Sequence, residues 1–195
     1  QGVVVVSINY RLGLMGYFAH PELSAESPQQ VSGNYGTLDQ IAALQWVRDN
    51  IAAFGGDPNN VTIFGESAGG ESVAHMLTSP LAQGLFHKAI LQSPATAGQM
   101  YHLKRPFLTR PPLEEVGLGF AEKVGITGSN QLAQLRQLSA DALYETVRAE
   151  RVLGSFYPVI DGYVLPQSPF TAFHQTQHTA VPIMVVSNAD EFTIL

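Results

Sequence analysis

"VTIFGESAGG", Val61–Gly70, is the stretch from which the rest of the chain is read. A short apolar run ends in Ser67, with Gly65 two residues before it and Gly69 two after, and the pattern then turns helical. A serine hydroxyl is a weak nucleophile until a base takes its proton and the backbone presents it to a carbonyl. G-x-S-x-G between a strand and a helix meets the second need, because the serine occupies a strained turn and small neighbours let strand and helix approach. Gly70 adds further room. The N–H of Ala68, at the helix start, would point toward a substrate carbonyl oxygen. The competing reading is a plain turn whose Ser67 caps the helix, but such a turn does not require glycine on both sides of the serine.

Working outward, the chain alternates strands and helices. Val3–Ile8 is a β-branched run with the pattern of a parallel strand covered on both faces. "HPELSAESPQQVSGNYG", residues 20–36, reads as a surface loop. A helix follows, with Thr37 and Gln40 as a capping box and Leu38, Ile41, Leu44, Val47 and Ile51 at helical spacing. Gly55 and Gly56 stop it. Trp46 is expected on its packed face. "DPNN", Asp57–Asn60, is a turn. Val61–Phe64, Lys88–Ser93 and Val181–Ser187 are further strands, and Ser67 to about Ser79 is a helix closed by Pro80. Amphipathic helical sequence fills residues 100–155. This order predicts an α/β fold with a mostly parallel sheet, flanking helices and a helical insertion at about 100–155.

Composition sets the outer limits. The 195 residues are 45% apolar and 13% charged, with a net charge of −6. That argues for a real core and gives no basic stripe for nucleic acid. "HLKRP", His102–Pro106, is too short to be a basic patch. No cysteine is present, which excludes disulfides, thiolate metal sites and a cysteine nucleophile but leaves the compartment open. No apolar run is long enough to span a membrane. The N-terminus lacks an initiator Met and enters the Val3–Ile8 run at once, so the chain is expected to be a piece of something longer.

A triad acid is sought after a later strand, since in a strand-turn-helix serine site the order along the chain is Ser, acid, His. "VPIMVVS" is followed directly by Asp190 and Glu191, and by position either carboxylate can orient an imidazole. No histidine follows Glu191. The six present are His20, His75, His87, His102, His174 and His178. A rearranged set of Ser67, Asp161 and His174 or His178 would keep the chain order, but both histidines precede the last strand. "HQTQH" puts His174 and His178 at i, i+4, without the glutamate of H-E-x-x-H, and reads as exposed polar sequence rather than a metal site. His75 and His87 read as packing or exposed residues, and "GLGF" (Gly117–Phe120) and "SFYPVI" (Ser155–Ile160) as core.

"NYRLG" (Asn9–Gly13), "GNYGTLDQIAALQWVRDNIAAFGGDPNNVTIFGESAGG" (Gly33–Gly70) and "FHKAILQS" (Phe86–Ser93) closely resemble the type-B carboxylesterases of the α/β-hydrolase fold. That group includes cholinesterases and para-nitrobenzyl-esterase-like enzymes. The likeness thins past Gln99 and returns at "PVIDGYVLP" and "SNADE". The resemblance implies Ser67 as nucleophile, Glu191 rather than Asp190 as triad acid, and support from Glu66 beside the nucleophile and Ser93 near the histidine. It implies hydrolysis of small carboxylic esters through an acyl-enzyme, with no metal and no cofactor. The chain would be a single partial domain, 1–195, lacking the triad histidine and the glycine-rich oxyanion loop that lies upstream in the family. The isolated chain is then expected to be inactive. Two departures bear on the site: Phe192 follows Glu191, and Pro94 follows Ser93, where the family usually has glycine. The other reading is a non-catalytic cholinesterase-like adhesion or binding domain, although such relatives typically lose the serine.

Overall fold

The computed structural model describes residues 2–94, 100–150 and 155–191, so Phe192 lies outside the described residues. The chain divides into two compact units. The first comprises Gln1–Asn9, Gln40–Gly98 and Gln167–Leu195, and the second Tyr10–Asp39 and Gln99–Pro166.

The first unit carries a three-stranded parallel sheet of β1 (Thr62–Glu66), β2 (Lys88–Gln92) and β5 (Ile183–Val186), with β2 in the middle. Glu66 pairs with Gln92 and Gln92 with Val186, so all three strands end level at their carboxyl edge. Helix α4 (Ala68–Thr78) packs on β1 and β2 and buries Val73, Ala74, Met76 and Leu77. Its apolar face meets Ala89 and Leu91 of β2, the two inward positions of that strand. Ser79 ends α4 and Pro80 follows, as proline after a helix end should. Helix α8 (Pro169–His174), capped by Ser168, also packs on α4.

Val3–Ile8 is not a strand. No described residue pairs with it, and Val3 and Val5 are 77% and 71% exposed. A β-branched run favours extended backbone but becomes a strand only when a neighbour completes its hydrogen bonds. Strand β5, "IMVV", does pair with β2, yet all four of its residues are exposed, because ladder hydrogen bonds along one edge cover neither face of a strand.

Helix α3 (Tyr35–Asn50) begins in the second unit and continues into the first. Its predicted stripe is right, with Ile41, Val47 and Ile51 buried. Its predicted start is not. Thr37 lies inside the helix with a buried Oγ1 that has no partner among the described residues, and the Gln40 amide donates to Ser72 Oγ instead of capping. The first turn starts from Asn34, whose carbonyl accepts from Leu38 N. Trp46 is 46% exposed and leans on Phe54, so it does not lie on the packed face. A 3-10 turn, Ile51–Phe54, extends α3, and Gly55 ends it at φ 79°.

The second unit is built from α1 (Gly13–Tyr17), α2 (Pro21–Glu26), α5 (Leu113–Lys123), α6 (Gln131–Leu135), α7 (Ala140–Ala149) and a short parallel pair, β3 (Tyr101–His102) with β4 (Val159–Ile160). The predicted surface loop at 20–36 therefore contains a helix and four buried polar residues, His20, Ser24, Ser32 and Asn34. Each is satisfied, which is why polar sequence can be core here. Asn34 donates to Val159 O (2.8 Å) and accepts from Val159 N (3.1 Å), standing in for a strand neighbour. His20 Nδ1 accepts from Glu22 N and its Nε2 faces Gln131 Oε1 at 3.0 Å. Glu22 accepts from Gln131 N and Leu132 N, capping α6 from another element. Phe18, Phe120 and Phe156 form the aromatic centre, so Phe120 and Phe156 are core as expected.

Candidate active site

Ser67 leaves the carboxyl end of β1 with φ 53° and ψ −116°, a conformation that a side-chain-bearing residue holds only when its surroundings impose it. Two bonds impose it: Ser67 N donates to Gln92 O and Glu71 N donates to Ser67 O, each at 2.9 Å. The serine side chain makes no cap hydrogen bond, so the capping reading of this turn fails. Ser67 and Ala68 are both exposed. Ala68 is the first residue of α4, where an N–H has no acceptor within the helix and is free for a ligand.

The glycines do unequal work. A Cβ on Gly65 would stand 2.4 Å from the carbonyl carbon and oxygen of Gly69, and one on Gly70 would stand 2.8 Å from Gln92 O. A Cβ on Gly69 would meet nothing within 4 Å. Close approach of helix and sheet is thus enforced at Gly65 and at Gly70, which lies outside the five-residue motif.

The level strand ends place Ser67, Ser93 and Ser187 side by side at the carboxyl edge of the sheet, where open α/β sheets bind ligands. Ser93 takes φ 46° itself, and its N–H donates to Val186 O at 2.7 Å, so the chain turns here without a following glycine. Ser93 Oγ donates to Glu191 Oε1, which also accepts from Asn188 N (2.8 Å) and Ser187 Oγ (3.4 Å). The Ser93 hydroxyl, then the Asn188 N–H, hold the Glu191 carboxyl below its ordinary range, against a smaller opposing effect of burial. An ionised carboxylate held in this way is suited to orient an imidazole and to stabilise its charged form. The resemblance assigned Ser93 to the neighbourhood of a histidine; in the structure it is bonded to the acid. Ser187 and Asn188 were not assigned a role from sequence, although they lie directly after a strand and within the "SNADE" stretch that carries the resemblance.

The histidines in the first unit do other things. His75 is buried in α4, with Nε2 unpartnered among the described residues and its pKa pushed down to about 4 by burial. His87 Nδ1 accepts from Val61 N, at the end of β1 opposite Ser67. Helix α8 ends at His174 and Thr176 has φ 58°, so His178 shares no helix face with it. His178 instead packs against Phe173. In the second unit Asp161 Oδ1 accepts from Tyr163 N and Leu165 N, closing a turn, as expected of a structural rather than a catalytic carboxylate. The described residues contain no metal-ligand cluster, and none of their helices is long and apolar enough to cross a membrane.

Comparison with known proteins agrees with this geometry. The model of the carboxylesterase family matches residues 1–195. The chain is 42% identical over 193 residues to a fumonisin B1 esterase of Sphingopyxis macrogoltabida, covering 98% of this chain and 34% of that protein. It is 38% identical over 196 residues to the para-nitrobenzyl esterase of Bacillus subtilis (strain 168), covering 97% of this chain and 37% of that protein. The crystal structure of the Geobacillus stearothermophilus carboxylesterase EST55 at pH 6.8 superposes with a TM-score of 0.79 at 35% identity, over 95% of this chain and 38% of that one. The chain thus spans about a third of the length of the relatives it matches, and its fold is a part of the α/β-hydrolase fold of those esterases. A strained serine at the carboxyl edge of a parallel sheet and a family match over the whole sequence point the same way: the chain belongs to the carboxylesterase family.

Proposed function

We propose that the protein to which this chain belongs is a serine carboxylic-ester hydrolase, with Ser67 as nucleophile and Glu191 as triad acid. The observation that carries the reading is the backbone of Ser67, held at φ 53° on the exposed carboxyl edge of the sheet, with the orphan N–H of Ala68 beside it. Ser67 Oγ attacks the ester carbonyl, and the developing oxyanion accepts from Ala68 N. The alcohol leaves with a proton, and water then releases the acid from the acyl-enzyme. Glu191, anchored by Ser93 and Asn188, orients the imidazole that moves these protons. No histidine follows Glu191 in residues 1–195, and the relatives are about three times as long, so the imidazole is assigned to sequence beyond this stretch. The second oxyanion donor is assigned to sequence before it.

The test uses the full-length protein and its Ser67→Ala form. The parent should hydrolyse p-nitrophenyl acetate and be labelled by an organophosphonate, and Ser67→Ala should abolish both. A parent that does neither is a binding domain rather than an enzyme. Residues 1–195 alone should hydrolyse the ester no faster than their Ser67→Ala form, and serine-dependent turnover by that piece would overturn the assignment of the base.

A further inference from the structure

Ala68, the oxyanion donor of the esterase reading, opens a helical turn of low intrinsic stability. That turn reads Ala68-Gly69-Gly70-Glu71, and glycine is less favourable in a helix than any residue but proline. It starts from the strained backbone of Ser67, whose side chain gives it no cap. A turn of this composition frays unless something outside it holds it.

Hydrogen bonds fix the peptide groups on either side of Ala68. On one side Glu71 N donates to Ser67 O at 2.9 Å, an ordinary helical bond. On the other, Ser72 Oγ donates to Ala68 O at 3.0 Å. That hydroxyl is itself held, because the Gln40 amide of α3 donates to Ser72 Oγ at 3.1 Å. Gln40 is buried and belongs to the same unit as Ser67, Ala68 and Ser72. Chemistry gives the relay its direction. A carbonyl only accepts and a hydroxyl has one proton, so Ser72 gives its proton to Ala68 O and accepts from the Gln40 N–H. Gln40 Oε1 is left over: it is buried and has no partner among the described residues. An unsatisfied buried oxygen is destabilising, so leucine, of similar size, would serve packing better at this position. What glutamine supplies and leucine does not is the N–H on Ser72.

We propose that Gln40 is a positioning residue for ester hydrolysis, holding Ala68 through Ser72 so that the Ala68 N–H stays aimed at the developing oxyanion. The inference rests on the esterase reading given above. A misaimed donor loses its hold on the transition state and not on the bound ester, so the effect falls on kcat and not on KM.

The experiment uses the full-length protein and p-nitrophenyl acetate, with active sites counted by organophosphonate so that misfolded protein does not enter kcat. Gln40→Leu and Ser72→Ala should each lower kcat about ten-fold with KM unchanged, and the double variant should lower it no further, because both break one relay. Ser72→Thr keeps the hydroxyl and should stay within about two-fold of wild type. An alkyl trifluoromethyl ketone, whose reversible adduct with Ser67 carries the oxyanion, should bind Gln40→Leu and Ser72→Ala about ten-fold more weakly, in step with kcat. Gln40→Leu should meanwhile melt at the wild-type temperature or above it, since the unpartnered oxygen is gone, so activity and stability move apart. A parent without Ser67-dependent turnover would overturn the esterase reading and this inference together. A parent with such turnover, whose Gln40→Leu and Ser72→Ala forms keep wild-type kcat and ketone affinity, would overturn this inference alone. Additive losses in the double variant would do the same. If Gln40→Leu does not fold, Ser72→Ala and Ser72→Thr decide.

Discussion

Gly65 and Gly69 flank Ser67 symmetrically in sequence and asymmetrically in space. Gly65→Ala drives a methyl into the Gly69 backbone and should cost about 2–3 kcal/mol of stability. Gly69→Ala enters open space inside α4 and should stabilise by about 0.5–1 kcal/mol through helix propensity. Urea unfolding of the two variants checks both signs, and equal losses would refute the asymmetry. The acid is equally specific. Removing the hydroxyl in Ser93→Ala should raise the Glu191 pKa toward the ordinary carboxylate range, followed by carboxyl ¹³C titration. A lowered carboxyl pKa favours the folded state above the ordinary carboxylate value, and that contribution disappears as pH falls through the lowered one. Glu191 is only half-buried, so the effect belongs to site geometry more than to stability. At this scale the serine and its glycines were legible because backbone chemistry demands those residue types. The division of labour between Gly69 and Gly70 was not, because it depends on how closely α4 approaches β2.

Helix α4 carries the nucleophile turn at one end and a buried base in its last turn. His75 is neutral in the fold, with a pKa of about 4 against an ordinary 6.5. Between those values the unfolded chain binds more protons than the folded one, so stability should fall with pH from about 6.5 to about 4, by about 3 kcal/mol. His75→Leu should flatten that part of the curve, measured as urea midpoints at several pH values; an unchanged slope would show that another group is responsible. In the second unit Asn34→Ala should cost about 2–3 kcal/mol, because it strands the buried N–H and C=O of Val159, and calorimetry would register the loss. Asn34 also explains why the start of α3 was misread from sequence. Thr37 and Gln40 have the spacing of a capping box, but the helix begins earlier, and the Asn34 side chain that could have capped it is committed to β4. Trp46 was misplaced because spacing identifies a stripe without saying how wide it is.

Across the molecule, the first unit displays apolar residues that nothing among the described residues covers. Val3, Val5, Phe64 and Val185 are each more than 60% exposed. Exposed apolar patches of this kind mark surfaces that bind something or aggregate. Residues 1–195 prepared alone should therefore bind an anilinonaphthalene dye and self-associate, whereas the full-length protein should do neither; light scattering and dye fluorescence make the comparison. The sequence by itself determined the alternation of strands and helices, the turn at Ser67, the stripe of α3 and the family, because these follow from local backbone preference and short-range spacing. It could not decide that Val3–Ile8 stands unpaired, that residues 20–36 bury His20, Ser24 and Ser32, that β3 pairs with β4, or that Ser93 anchors Glu191. Each of those depends on a partner distant in the chain, and only the tertiary structure brings such partners within hydrogen-bond reach.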